Sequence, residues 1–133
     1  MLLIFVISKL SIFINSIKEV YKSDKKNSKK NPKKLLIEAA KKTKVKGSST
    51  CCLIVLDKEE KKINSAYIGD SVYMITRFDK EQNKFIKFYK CQDQTHSFNQ
   101  PFQIGTFGDS PEQGNENSHE VEDRDVIVLA TDG

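Results

Sequence analysis

The sequence predicts an α+β fold, on three observations. Helical periodicity is confined to residues 1–46, short extended runs bounded by turn residues occupy 47–133, and no internal repeat joins the two parts. A length of 133 residues suits one domain, or a piece of one, with a core of moderate size; 38% hydrophobic and 30% charged residues fit a folded globular chain. The net charge of +4 conceals an asymmetry, because residues 1–50 hold 13 lysines against 3 acids and the remainder holds 9 basic residues against 15 acids.

The first element is expected to be a helix. Leu3, Ile7, Leu10, Ile14, Ile17 and Tyr21 recur at alternating spacings of four and three, which draws one apolar stripe down a helix packed on a core. Leu2, Ile4 and Phe5 are further apolar residues that lie off this stripe. No basic residue precedes the apolar run and no small-residue cleavage site follows it, so it lacks the form of a signal peptide. Lys9, Asn15 and Lys18 interrupt it before the roughly 20 apolar residues that a membrane span needs.

Next comes "KSDKKNSKKNPKK" (Lys22–Lys34), which reads as a solvated loop. Without arginine or interleaved aromatics it offers neither bidentate phosphate contacts nor base stacking, so no nucleic-acid partner is expected. Asn31-Pro32 then supplies an N-cap followed by proline at the first helical position. A second helix is predicted from Pro32 to Lys42, with Leu35, Leu36, Ala39 and Ala40 on its inner side and Gly47 just past its end.

From Gly47 the pattern becomes extended. "TCCLIVLD" (Thr50–Asp57) is an almost unbroken apolar strand, "DKEEKK" turns the chain, and "INSAYIGD" (Ile63–Asp70) returns. After Gly69-Asp70-Ser71, "VYMITR" and "FIKFYK" flank the turn "FDKEQNK", and the four strands are expected to form one antiparallel meander. Residues 92–122, rich in Gln, Asn and Gly with scattered apolar positions, read as a long loop. Asp125 is expected to cap the turn into a last strand, "VIVLA" (Val126–Ala130), which runs into Thr131-Asp132-Gly133.

Cys51, Cys52 and Cys91 are odd in number and lack C-x-x-C spacing, so the sequence signals neither a disulfide framework nor structural zinc; a reducing, intracellular compartment is the simplest inference. No phosphate-binding glycine loop and no Ser/His/Asp order supports nucleophilic catalysis. Two acids remain. Asp70 and Asp132 each stand at the end of an apolar strand, and if those strands are neighbours their carboxylates emerge near one edge, where a cation between them would relieve repulsion. Carboxylates without nearby His or Cys suit Mg²⁺ or Mn²⁺ rather than zinc. The alternative is that "GD" and "DG" are ordinary turn dipeptides.

"GSSTCCLIVLD", "SAYIGDSVYMI", "QTHSFNQPFQIG", "DSP" and "DVIVLATDG" occur in the same order and rough spacing as their counterparts in the metal-dependent type 2C (PPM) serine/threonine protein phosphatases. The sequence most resembles the short, single-domain branch that includes mitochondrial members. The resemblance covers Gly47–Gly133 well and the preceding residues more loosely. It implies an α/β/β/α sandwich of two antiparallel sheets flanked by helices, and a Mn²⁺/Mg²⁺ centre whose bound water attacks a phosphoserine or phosphothreonine of a phosphoprotein substrate. By the same match Asp132 is like a core metal ligand of the family and Asp70 like the acid of a further, weaker metal position. His96, in the loop "QTHSFNQPFQ", is a candidate to touch substrate, although a hydrogen bond that stabilises the loop explains it equally well.

The family's "DGxGG" segment has no counterpart in residues 1–46, and the family continues past the position of Gly133. The expectation is therefore an interior piece of a phosphatase domain, 1–46 helical and 47–133 β-rich, nearly inactive alone. The competing expectation is a non-catalytic pseudophosphatase or basic binding module that uses the lysine-rich stretch.

Overall fold

In the computed structural model, which describes residues 2–6, 11–44 and 46–131, the chain opens with a strand, β1 (Leu2–Val6). This corrects the expected N-terminal helix. The run 2–6 is apolar without interruption, which suits a strand against another apolar strand better than one helical face. β1 pairs antiparallel with β3 (Cys51–Asp57), from Leu2 opposite Val55 to Val6 opposite Cys51. Of the predicted stripe, Leu3 therefore belongs to the sheet, and Ile7 and Leu10 lie outside the described residues.

Helical periodicity governs only from α1 (Ser11–Ser23), whose buried line is Phe13, Ile17 and Val20. The lysine-rich segment is a second correction: rather than a loop it folds into a short helix, α2 (Lys25–Lys30). Asp24 starts it by accepting hydrogen bonds from the Asn27 amide (3.3 Å) and the Asn27 side chain (2.7 Å), and Ser28 turns inward. Lysine is a good helix former once the first turn is capped. α3 (Pro32–Lys42) has the predicted limits. The Asn31 Oδ1 accepts from the Lys34 amide at 3.0 Å, Pro32 occupies the first turn, and Leu35, Leu36 and Ala39 are buried. Its C-cap is Thr43, not Gly47; the Thr43 amide donates to the carbonyls of Ala39 and Ala40.

The expected single meander is instead divided between two sheets. β3 forms a hairpin with β4 (Lys62–Ile68), whereas β5 (Val72–Asp79) forms one with β6 (Lys84–Lys90). The first sheet runs β1-β3-β4-β10 and the second β11-β5-β6, where β10 is Asn115–Glu120 and β11 is Val126–Ala130. The chain leaves one sheet for the other at Gly69-Asp70-Ser71, and β10 takes the edge of β4 that a meander would have given to β5.

β10, "NENSHE", lies within the expected long loop and corrects it. It contains no aliphatic or aromatic hydrocarbon side chain, so no apolar alternation announces it; backbone pairing with β4 makes it a strand. The same segment holds a small hairpin of β7 (Thr95–Ser97) and β8 (Gln100–Pro101), a ladder between β2 (Ser48–Ser49) and β9 (Ile104–Gly105), and a 3₁₀ turn at Pro111–Gln113.

Two apolar layers result. Cys51, Leu53 and Val55 point to the helices and join Phe13, Ile17, Leu35, Leu36 and Ile68. Cys52 and Ile54 point the other way and meet Ile63, Tyr67, Tyr73, Ile75 and Cys91 between the sheets. A strand buried on both faces explains why "CCLIV" is apolar throughout. No helix among the described residues is long and apolar enough to cross a membrane.

Candidate functional site

Asp70 sits half-buried in the crossover between the two sheets, and the residues around it hold its backbone tightly. Gly69 has φ +101°, a conformation that favours glycine, and a Cβ there would stand 2.6 Å from the Phe102 carbonyl oxygen and collide with Thr50. On the other side of Asp70, the Ser71 hydroxyl is completely buried and hydrogen-bonds the Thr50 hydroxyl at 2.8 Å. Gln94 closes the third side. Its amide donates to the Gly69 carbonyl at 2.8 Å, its carbonyl accepts from the Phe102 amide at 3.0 Å, and its side chain reaches the Gln113 carbonyl at 2.9 Å. Ser71 and Gln94 were not singled out from the sequence, whereas Thr50 belongs to the run Gly47–Thr50, whose small residues let a strand start close to the expected metal edge. Two small hydroxyl residues flanking fully apolar strands were the available signal, because a buried hydroxyl needs a partner.

Asp132 lies outside the described residues, but the strand that leads to it does not. β11 pairs antiparallel with β5, from Val126 opposite Thr76 to Ala130 opposite Val72. The C-terminal end of β11 thus lies beside the N-terminal end of β5, two residues from Asp70. The condition set by the sequence, that the strand ending at Asp70 and the strand ending at Asp132 be neighbours in one sheet, does not hold: β4 lies in the first sheet and β11 in the second, and it is β5, which begins just after Asp70, that pairs with β11.

His96 makes a 2.7 Å contact from Nε2 to the Asp109 carboxylate, and its ring stacks on Phe102 with centroids 4.0 Å apart and planes 11° from parallel. Asp109 also accepts from the Gln103 amide at 2.9 Å. These contacts tie the β7–β8 hairpin to the following turn. Half of the His96 side chain stays exposed, beside the fully exposed Phe98 and Phe107. Cys91 lies within the buried layer, where its Sγ accepts from the Tyr73 amide at 3.1 Å. Burial pushes the Cys51 thiol up to about 12 and raises Cys52 and Cys91 as well, so none is a ready thiolate. Asp125 caps its turn, accepting from the Glu122 amide, and in addition receives a fork of two hydrogen bonds from Arg77 at 2.9 and 3.0 Å.

A buried polar chain crosses between the sheets. Ser65 donates to the Tyr73 hydroxyl at 2.9 Å, and that hydroxyl lies 3.0 Å from His119 Nε2. Burial lowers the His119 pKa, which favours the neutral ring as acceptor. Three or more His, Cys, Asp or Glu side chains placed to hold a metal do not occur among the described residues. Asp70 is the carboxylate that the described crossover presents.

Two packed antiparallel sheets with helices against the first of them form, among the described residues, part of the α/β/β/α sandwich of a type 2C phosphatase domain. The solved structure of the photosystem II phosphatase PBCP superposes with a TM-score of 0.78, at 18% identity, over 96% of this chain and 57% of that one. In sequence, the chain is 34% identical over 96 residues to the Protein phosphatase PTC7 homolog of Xenopus laevis and 32% identical over 96 residues to that of Homo sapiens. It is 30% identical over 118 residues to the Protein phosphatase PTC7 homolog fig of Drosophila ananassae. These alignments take in 65%, 65% and 78% of this chain but 30%, 30% and 34% of the relatives, so the chain spans about a third of their length. No family model matches the chain. On the relatives and the fold together, it belongs to the type 2C (PPM) protein phosphatase family.

Proposed function

We propose that the chain is part of a metal-dependent protein serine/threonine phosphatase and that Asp70 and Asp132 serve its metal site. The observation that carries this is the pairing of β11 with β5, which sets the strand leading to Asp132 beside the crossover that holds Asp70. The relatives' names, protein phosphatases, support the reaction class.

The donor chemistry fits a hard divalent ion: a carboxylate at a strand junction, with the nearest thiols buried and engaged elsewhere. Asp70 and Asp132 would hold Mn²⁺ or Mg²⁺. When bound, such an ion neutralises phosphoryl charge and acidifies water, which is the chemistry phosphomonoester hydrolysis requires. The chain's own part is placement. Gly69 lets the backbone approach Thr50 and Phe102, the Ser71–Thr50 bond fixes the far side of Asp70, and Gln94 anchors the His96 loop to the same crossover. Through that anchor the loop of residues 95–109 stands next to the site, and a phosphoprotein segment is the substrate it would meet. Three buried cysteines without a disulfide support a reducing, intracellular compartment.

The test is Mn²⁺ and Mg²⁺ titration with hydrolysis of a phosphoserine peptide. Asp70→Asn and Asp132→Asn should each weaken ion binding by about tenfold or more, consistent with losing one charged ligand. Hydrolysis that persists unchanged after chelation, or ion affinity untouched by either variant, would overturn the assignment.

A further inference from the structure

We propose that the lysine-rich face of α2, with the last turn of α1, is a docking surface for an acid-rich stretch of polypeptide, lying in the substrate at a distance from the phosphorylated residue. The second half of this rests on the phosphatase function above. The first half rests on charge.

The run Lys22–Lys29 is a folded surface, capped by Asp24 and anchored where Asn64 donates from its side chain to the Lys29 carbonyl at 2.8 Å. Its lysines are poorly compensated. Lys30 is matched by Glu60 at 3.0 Å and Lys34 by Glu38 at 3.9 Å. For Lys22, Lys25, Lys26 and Lys29, no acidic side chain among the described residues lies within 4.0 Å. The one acid inside the run, Asp24, is committed to Asn27, whose side-chain and backbone hydrogen bonds hold its carboxyl below the usual range. Four uncompensated ammonium groups, Lys22 at the end of α1 and Lys25, Lys26 and Lys29 on α2, form a positive field that an extended anionic chain can follow.

The same surface argues for its partner. It carries no arginine for bidentate phosphate contacts, and its one aromatic residue, Tyr21, packs against the core rather than standing free to stack on bases. Among the described residues, the exposed large apolar side chains that could enter a bilayer, Phe85, Ile86, Phe88, Phe98, Phe107, Val126 and Val128, all belong to other parts of the fold. An acidic polypeptide, which needs only spaced point charges, fits what is present.

Position gives the surface its role. Glu60, which holds Lys30, lies in the turn between β3 and β4, whereas Asp70 follows the opposite end of β4. The six steps from Lys62 to Ile68 at about 3.4 Å each separate the two by about 20 Å. A substrate bridging them needs about six or more extended residues between its acidic stretch and its phosphorylated residue.

The experiment is fluorescence anisotropy of the chain with a labelled twelve-residue peptide of alternating Glu and Ser, without phosphate, so that binding does not depend on hydrolysis. Saturable binding that weakens as salt rises is expected. The combined variant Lys22→Gln, Lys25→Gln, Lys26→Gln and Lys29→Gln should lose about tenfold in affinity, while the matching four Lys→Arg changes and Asp70→Asn should leave it unchanged. Binding that survives the glutamine variant, or is lost equally in the arginine variant, would overturn the proposal. So would tighter binding to a twelve-nucleotide single strand or to phosphatidylserine-containing vesicles than to the peptide. Peptide binding as expected, with Mn²⁺ and Mg²⁺ affinity untouched by Asp70→Asn and Asp132→Asn, would instead overturn only the phosphatase assignment.

Discussion

Gly69→Ala tests whether the crossover that carries Asp70 is built as described. The added methyl has two costs. At φ +101° a non-glycine residue is strained, by about 1–3 kcal/mol for a sparsely populated backbone region. Its Cβ would also stand 2.6 Å from the Phe102 carbonyl oxygen and against the Thr50 side chain, and such overfilling adds about 1–3 kcal/mol. Together they remove about 2–6 kcal/mol from a stability that is typically about 5–15 kcal/mol. Gly47→Ala is the internal comparison. It has φ +133° but nothing within 4 Å of the added Cβ, so it should show the strain alone. Urea unfolding followed by circular dichroism reads both. With a slope of about 1–3 kcal/mol per molar urea, the Gly69 variant should unfold at least about 0.7 M earlier than wild type and clearly earlier than the Gly47 variant. Equal midpoints for the two variants would refute the close packing of Gly69 on Thr50 and Phe102, and with it the account of how Asp70 is held.

Three further outcomes are expected. Because burial depresses the His119 pKa below its ordinary 6.5, the unfolded chain takes up a proton first as pH falls. The stability His119 contributes is therefore complete above about pH 6.5 and declines as pH falls through its lower folded value; chemical unfolding at pH 7.5 and 5.0 should show a smaller loss in His119→Gln than in wild type. Asp125→Ala should destabilise by about 1–3 kcal/mol, since it removes the forked acceptor of Arg77, which keeps only the Glu122 carboxylate and the Glu120 carbonyl, and the acceptor of the Glu122 amide; Asp125→Asn, which retains one oxygen, should cost less, and thermal unfolding ranks the two. Cys51, Cys52 and Cys91, each at most 2% exposed and raised in pKa, should resist iodoacetamide at pH 8 until denaturant is added, as counted by mass spectrometry.

The sequence by itself determined the features that depend on neighbours along the chain. Asn31-Pro32 marks the start of α3 because the cap and the proline act within one turn, and "DKEEKK" and "FDKEQNK" mark two hairpins because turn chemistry is local. The succession of short motifs around Asp70 and Asp132 was sufficient for the family resemblance, and the relatives agree with it. The tertiary structure decided what depends on partners distant in sequence. Leu2–Val6 carries an apolar pattern compatible with either a helix or a strand, and the free edge of β3 selects the strand. "NENSHE" has no periodic signal, and β4 makes it β10. Whether the hairpins share a sheet turned on Gly69, where the chain crosses to the second sheet, and on β10 occupying the other edge of β4. Periodicity and turn residues encode local conformation; sheet pairing is a competition for backbone hydrogen bonds, and its outcome is set by the edges available in three dimensions.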